Sequence, residues 1–455
     1  MLNTLNAISP IDGRYRDEVA SMASFFSEAA LLRYRLKIEI EYLIALSREP
    51  GVSELPEFDD ATQKNLRELY ASFSEDDAAE IKQIEATTRH DVKAVEYFLK
   101  DRLGRISIAI NSEWIHFALT SEDVNNLSYS LMWQEAIQQV YLPELQMVTE
   151  TLRQLAHQAA DTALLALTHG QPATPTTLGK EITVFVARLV RQTELLKSHR
   201  LMGKLAGASG TWGAHQVAYP NVNWPAFTEK FVAGLGLDVN LIVTQIESHD
   251  SLAESFHNLI RINNILIDLC QDMWLYISRE IFQQKAKPGE VGSSTMPHKI
   301  NPIQFENAEG NLKLANAYLD FLAQKLPVSR WQRDLTDSTI LRNQGMPLAH
   351  SLLALKNILK GLERVSVNHS KLEDELTKHW EVLAEAIQTV LRKNGHPNPY
   401  EALKELTRGQ TINAESIRNF VLSLELPDVE KETLLKLSPE NYTGLAGKIA
   451  RGELH

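Results

Sequence analysis

Residues 289–302 read Gly289-Glu290-Val291-Gly292-Ser293-Ser294-Thr295-Met296-Pro297-His298-Lys299-Ile300-Asn301-Pro302. The glycines and the Ser-Ser-Thr run favour irregular backbone, and Pro297 and Pro302 bar a helix interior. The stretch is a loop between segments of helical periodicity. It carries hydroxyls at Ser293 and Ser294, an imidazole at His298, an ammonium at Lys299 and an amide at Asn301. A solvated surface turn explains most Gly/Ser loops. It gives no reason for so many different reactive groups beside a Met296-Pro297-His298-Lys299 run.

Outward from this loop, apolar residues step by three and four. Leu145, Val148, Leu152 and Leu155 do so, as do Ile182, Phe185 and Leu189. Phe256, Leu259, Asn263 and Leu266 continue the pattern, followed by Leu348, Leu352, Leu355, Leu359 and Leu362. Such spacing marks helices that pack at shallow angles in a bundle. Leu32, Leu36, Ile40 and Leu43 predict another helix, ended by Glu49-Pro50-Gly51. Pro143 starts or kinks one of the helices. No stretch reads convincingly as a strand, so the expected class is all-α, mainly helical.

With 455 residues the chain exceeds one ordinary core, and two or three domains are expected. Asp plus Glu number 58 against 46 Lys plus Arg, a net charge of −12, which disfavours a nucleic-acid binder but not a local pocket for an anion. The lone cysteine, Cys270, excludes an internal disulfide and any cysteine-cluster metal site, and fits a reducing compartment. Charges interrupt every long apolar run. No signal peptide and no membrane span are expected, and a cytoplasmic location is the default.

Several shorter stretches carry polar groups suited to chemistry, and each has a plainer structural reading. Asp12-Gly13 is a turn, with Arg14 beside Tyr15 as a possible anion contact or an ordinary surface cation. Thr88-Arg89-His90-Asp91 precedes a helix, where an anion site competes with a simple N-cap, the favoured reading on spacing alone. Thr120-Ser121-Glu122-Asp123 caps a helix whose Asn125, Asn126, Ser128 and Ser130 suggest a face lining a wet cleft. Leu167-Thr168-His169-Gly170-Gln171-Pro172-Ala173-Thr174-Pro175 is a connection that leaves His169 available for proton transfer, or as a structural turn residue. Gly203, Gly207, Gly210 and Gly213 lack the Lys-Ser/Thr of a phosphate loop and read as a close helix crossing or connection. Arg330, Arg333 and Arg342 with Ser338 and Thr339 make either a phosphate site or a charged helix face, the two being evenly balanced. Beyond Val367-Asn368-His369 the chain reads as a small, more charged helical cap.

The loop fits the pattern Gly-Ser-Ser-x-Met-Pro-x-Lys-x-Asn-Pro at every fixed position from Gly292 to Pro302. In this the chain resembles the fumarase/aspartase/argininosuccinate lyase superfamily. The segments 87–92, 168–175 and 329–339, with His298 in a variable slot of the pattern, are similar to the branch that acts on succinylated purine nucleotides. The resemblance spans essentially the whole chain. It implies three mostly helical domains, placed at 1–112, 113–365 and 366–455, the central one a long-helix bundle that assembles into a homotetramer with shared sites. The implied activity is that of a carbon–nitrogen lyase. It releases fumarate by β-elimination from adenylosuccinate, giving AMP, and from the succinylated ribotide SAICAR, giving AICAR.

The same resemblance assigns the residues. Ser293 is the general base and His169 the general acid. Ser294, Lys299 and Asn301 hold the succinyl carboxylates. Arg14 and Tyr15 grip the nucleotide phosphate with Ser338 and Arg342, and Thr339, Ile340 and Leu341 between them also bind substrate. Arg89, His90 and Asp91 contact phosphate and base. Thr120, Ser121, Gln245, Asn307 and Arg333 line the remainder. No cofactor is implied, and the histidines show no metal-ligand spacing. Another fumarate-releasing lyase, such as argininosuccinate lyase, or a carboxymuconate cycloisomerase is the nearest alternative. A helical scaffold without chemistry is the alternative of a different class.

Overall fold

The structure is a computed structural model and describes residues 4–105, 110–285, 296, 299–407 and 412–454, without the side chains of 402 and 405–407. It is mainly helical, as the periodicity predicts. The strands, unrecognised in the sequence, are four pairings of two or three residues each among the described residues. They are too short to leave a period-two signature.

The chain packs as two compact units, Met1–Leu145 with Gln192–Asn264 and Gly310–Lys356, and Gln146–Arg191 with Ile265–Glu309 and Asn357–His455. The division falls inside the long helices Leu142–Gln158, Leu178–Ser198, Asp250–Ser278, Ile303–Lys325 and Gly345–Leu362.

In the first unit the helix Glu28–Ser47 is the hub. Ser27 starts it, its hydroxyl accepting from the Ala30 N–H at 3.1 Å. Leu32, Leu36, Ile40 and Leu43 are fully buried, each worth about 1.5–3 kcal/mol of transfer free energy. Arg35 and Glu39 on the same helix are equally buried. The helix is covered on all sides, by Asp60–Ala71, Glu75–Thr88, Asp91–Arg105 and Ser121–Ala136. Pro143 is accommodated at the second residue of Leu142–Gln158, just after the wider π-type turn Ile137–Tyr141. The helices Asp250–Ser278, Ile303–Lys325 and Gly345–Leu362 are tied side by side in this unit. Asn263 donates to Asn316 at 2.9 Å and to Ser351 at 3.1 Å, and His350 meets Asn311 at 2.8 Å.

In the second unit Arg188 of the helix Leu178–Ser198 meets Asp268 at 2.5 Å, and Gln271 meets Glu309 at 3.1 Å. The C-terminal helices have a core of their own, built on Leu383, Ile387, Leu391, Ile417, Val421 and Leu434. Leu376 and Val382 pack on Leu165, at the foot of the connection that carries His169. Arg451 clamps Asp161 at 2.8 and 2.9 Å.

Candidate active site

In the first unit two guanidinium groups, Arg342 and Arg333, hold Asp91 and Gln245 among the candidate residues. The helix Glu75–Thr88 ends at Arg89, whose φ of +55° turns the chain so that the helix Asp91–Arg105 can start. His90 serves as a cap, its Nδ1 accepting from the Lys93 N–H at 3.2 Å, in line with the plainer reading of this segment. Asp91 Oδ2 accepts from Arg342 Nη2 at 2.8 Å and forms an ion pair with the buried Arg35, whose Nη2 lies 2.8 Å away. Burial opposes its ionisation, but Arg35 and then Arg342 hold the carboxyl below its ordinary range. Arg342 Nη1 also meets Glu28 at 3.0 Å. Segments 89–91 and 338–342 therefore share one charged seam. Within the helix Thr336–Leu341, Thr339 is exposed, Ser338 and Ile340 are half-buried, and the Leu341 side chain is core. Arg14 is exposed, with its guanidinium 5.7 Å from the Tyr15 ring centre.

The second guanidinium is Arg333. Its Nη1 donates to Gln245 Oε1 at 3.2 Å, and Gln245 in turn donates to the Ala208 carbonyl at 2.9 Å. Arg333 Nη2 lies 3.2 Å from Glu122 Oε2, and its Nε lies 3.4 Å from Asp337 Oδ2. Both carboxylates are buried. Burial, opposed by Arg333 and reinforced by Asp337, pushes the Glu122 carboxyl up to about 7. His249, φ +63°, is buried nearby, and its Nε2 meets no partner among the described residues. Burial lowers its pKa against the pull of Glu247 and Asp250, and the Arg333 charge adds to the lowering.

Thr120 and Ser121 sit at the start of the helix Ser121–Ala136. The Thr120 N–H donates to Asp123 Oδ2 at 2.9 Å. Asp123 is fully buried and also takes Lys204 Nζ at 2.7 Å, the Ala206 N–H at 2.9 Å and the Gly207 N–H at 3.1 Å. The expectation of a wet cleft on this helix is overturned. Asn125, Asn126 and Ser128 are buried and satisfied by protein: Asn125 accepts from Arg35 at 2.9 Å, Asn126 donates to the Lys204 carbonyl at 3.0 Å, and Ser128 to Val124 at 2.7 Å. Ser130 donates to the Met202 carbonyl at 3.2 Å. Polar residues at helical spacing here mark a buried seam against segment 202–207. That segment opens the glycine-rich stretch 203–213. At Gly210, φ +76°, a Cβ would fall 2.3 Å from the Val243 carbonyl oxygen, so only glycine lets these chains approach.

In the second unit, Leu167–Thr168 and Gln171–Pro172 pair as a two-residue hairpin. His169 and Gly170 are its turn, with φ +54° and +72°, as a type I′ turn requires at both positions. His169 is exposed at the tip and makes no side-chain hydrogen bond among the described residues. Lys299 is exposed, with its N–H on the Met296 carbonyl at 3.0 Å. Gln284 holds the Ile300 carbonyl at 2.9 Å, just before Asn301. Asn301 and Asn307 are half-buried, the latter on the helix Ile303–Lys325. Ser293, Ser294 and His298 lie outside the described residues.

Sequence reasoning passed over Arg35, Glu122, Asp337 and Lys204. Arg35 and Glu39 stand four apart on one helix, a spacing that an ordinary surface ion pair also has. Instead Arg35 reaches Asp91, and Glu39 reaches His116 at 2.6 Å. Glu122 stands in a helix-capping run, and Asp337 lies beside Ser338 in a segment rich in arginine. Among the described residues no group of three or more His, Cys, Asp or Glu side chains is placed to hold a metal ion.

The family profile described as "Lyase" matches residues 13–317, and that described as "Adenylosuccinate lyase C-terminal" matches residues 329–443. The adenylosuccinate lyase of Escherichia coli strain K12 is 50% identical over 446 residues, covering 98% of each chain. That of Dictyostelium discoideum is 49% identical over 458 residues, 98% of this chain and 97% of its own. Among solved structures, the 3-carboxy-cis,cis-muconate lactonizing enzyme from Pseudomonas putida superposes with a TM-score of 0.72 at 23% identity, over 95% of this chain and 96% of its own. A fumarate lyase from Mesorhizobium sp. BNC1 gives 0.73 at 17% identity, over 96% and 97%. At such identities these two speak for the fold alone.

Proposed function

The chain belongs to the adenylosuccinate lyase family, and from that premise we propose that it splits adenylosuccinate into AMP and fumarate, and SAICAR into AICAR and fumarate. The observation that carries the reading is the match to adenylosuccinate lyases at about half identity over nearly the full length. The paired guanidinium sites at Arg342 and Arg333 support it, since an anionic nucleotide needs forked donors.

The reaction breaks a C–N bond β to a carboxylate. In our reading the Ser293 alkoxide removes the proton from the carbon next to that carboxylate. The resulting dianion is held by Lys299, Asn301 and Ser294. Its electron pair forms the fumarate double bond as the C–N pair retreats to nitrogen. His169 gives that nitrogen a proton. The hairpin tip suits this role, because an exposed imidazole with no internal hydrogen bond is free to meet a substrate. Arg14, Tyr15, Ser338 and Arg342 take the phosphate, and Thr339, Ile340 and Leu341 also bind substrate. Arg89, His90, Asp91, Thr120, Ser121, Gln245, Asn307 and Arg333 surround the rest.

We further propose the three-domain order 1–112, 113–365 and 366–455, a homotetramer with shared sites, and a cytoplasmic location. No described helix is long and apolar enough to cross a membrane. On the helix Ile303–Lys325, Leu314, Tyr318 and Phe321 are exposed at 53%, 38% and 55%, spaced four and three apart. An exposed apolar stripe of this kind suits a subunit interface.

Incubation of the purified chain with adenylosuccinate, following AMP release by absorbance, tests the activity. Turnover of argininosuccinate in its place would redirect the assignment, and inertness toward both would favour a scaffold. Mixing Ser293→Ala with His169→Ala protein should restore part of the activity if sites are shared. No recovery after verified subunit exchange would count against sharing.

A further inference from the structure

Around Arg333 the ionised groups do not balance. Glu122 and Asp337 both approach its guanidinium, at 3.2 and 3.4 Å, and both side chains are almost fully buried. Two carboxylates against one guanidinium leave an excess negative charge. Lys204, a second cation acting on Glu122, is committed to Asp123 at 2.7 Å. Asn125 on the same helix and the helix start itself favour an ionised Glu122, but neither brings a charge. His249, buried beside Arg333, is kept toward its neutral form. Glu122 Oε1 meets no hydrogen-bond partner among the described residues, as an ionised buried oxygen should not. A surplus negative charge is a poor lining for a site that takes an anionic nucleotide.

We propose that Glu122 takes up a proton when the anionic substrate binds against Arg333, so that the guanidinium passes from the carboxylate to the ligand. This rests on the nucleotide-site reading above. No bond to carbon is involved: the proton comes from solvent, binds a Glu122 oxygen and leaves with the product. Glu122 is thus a positioning residue, acting through Arg333. An anion nearby raises the affinity of Glu122 for its proton. Ligand affinity should therefore fall, by up to about tenfold per pH unit, as pH rises through the range in which the free protein loses that proton and the complex keeps it.

The test is calorimetric titration of the full chain with AMP at about pH 8, where the ligand phosphate is already fully ionised. Tris and HEPES, which differ in protonation enthalpy, report proton exchange. The expected result is uptake approaching about one proton per site, abolished by Glu122→Gln and reduced by Asp337→Asn, which removes the competing carboxylate. Binding with the same enthalpy in both buffers would overturn the proposal, as would undiminished uptake in folded Glu122→Gln protein. If that variant fails to fold, the wild-type measurement and Asp337→Asn still decide. An absence of AMP binding altogether would instead remove the nucleotide reading on which the proposal rests.

Discussion

Arg342 Nη2 and Arg35 Nη2 both sit 2.8 Å from one oxygen of Asp91, so a single carboxylate joins an exposed guanidinium to a buried one. The buried partner cannot be left alone cheaply. The exposed partner belongs to the segment proposed to grip phosphate. Asp91 thereby fixes the distance between the hub helix and the 338–342 turn.

Asp91→Asn should keep the short contact to the Val92 N–H, 2.9 Å in the parent, but lose the charge. A stability loss of about 2–4 kcal/mol is expected, mostly the cost of leaving Arg35 unpaired. The sign with pH follows from the lowered carboxyl. Its contribution is present above the unfolded-state value of about 4 and disappears as pH falls through the lower folded value. Urea unfolding from neutral to acid pH should show the gap between parent and variant closing on the acid side. A constant gap would point to packing rather than charge.

His169→Asn tests the hairpin tip. Asparagine tolerates positive φ as histidine does, so the turn should survive. The side chain cannot deliver a proton at neutral pH. Turnover should drop by about 10²–10⁴-fold with little change in KM or in thermal unfolding. A change confined to KM would make His169 a binding residue.

How much of this was legible differs by level. The helices were plain because their apolar stripes are long: Leu348, Leu352, Leu355 and Leu362 are all buried. Leu359 yields its place to Ile358, since 3.6 residues per turn drift off a strict four-residue step. The hairpin at 167–172 was legible only as a connection, because two residues per strand carry no alternation. The buried seam from Asp123 to Lys204 was not legible. A lysine 81 positions away in sequence gives no local sign that it will be buried against an aspartate, and nearby asparagines mimic a solvated face.

Lys204→Met should show what that seam is worth. Methionine fits the buried stem but leaves Asp123 with only backbone N–H donors. The loss should be about 3–5 kcal/mol in denaturant unfolding. Adding Asp123→Asn to the same chain should recover part of it, because the uncompensated charge is gone. If the double variant is no more stable than Lys204→Met, the damage comes from shape alone.

Phe321→Glu bears on assembly. The ring is 55% exposed on the helix Ile303–Lys325, one turn from Tyr318 and two from Leu314. A single subunit loses little by the exchange, since the side chain already faces solvent. In the proposed tetramer, if this stripe lies at an interface, the introduced carboxylates would lose hydration and repel one another. Sedimentation should show the parent at four times 51.3 kDa and the variant as smaller species that keep the parent's helical content at room temperature. Activity should fall with the loss of mass if subunits share the site. Full activity in a dissociated variant would confine each site to one chain, and a parent that sediments as a monomer would leave the apolar stripe to some other partner.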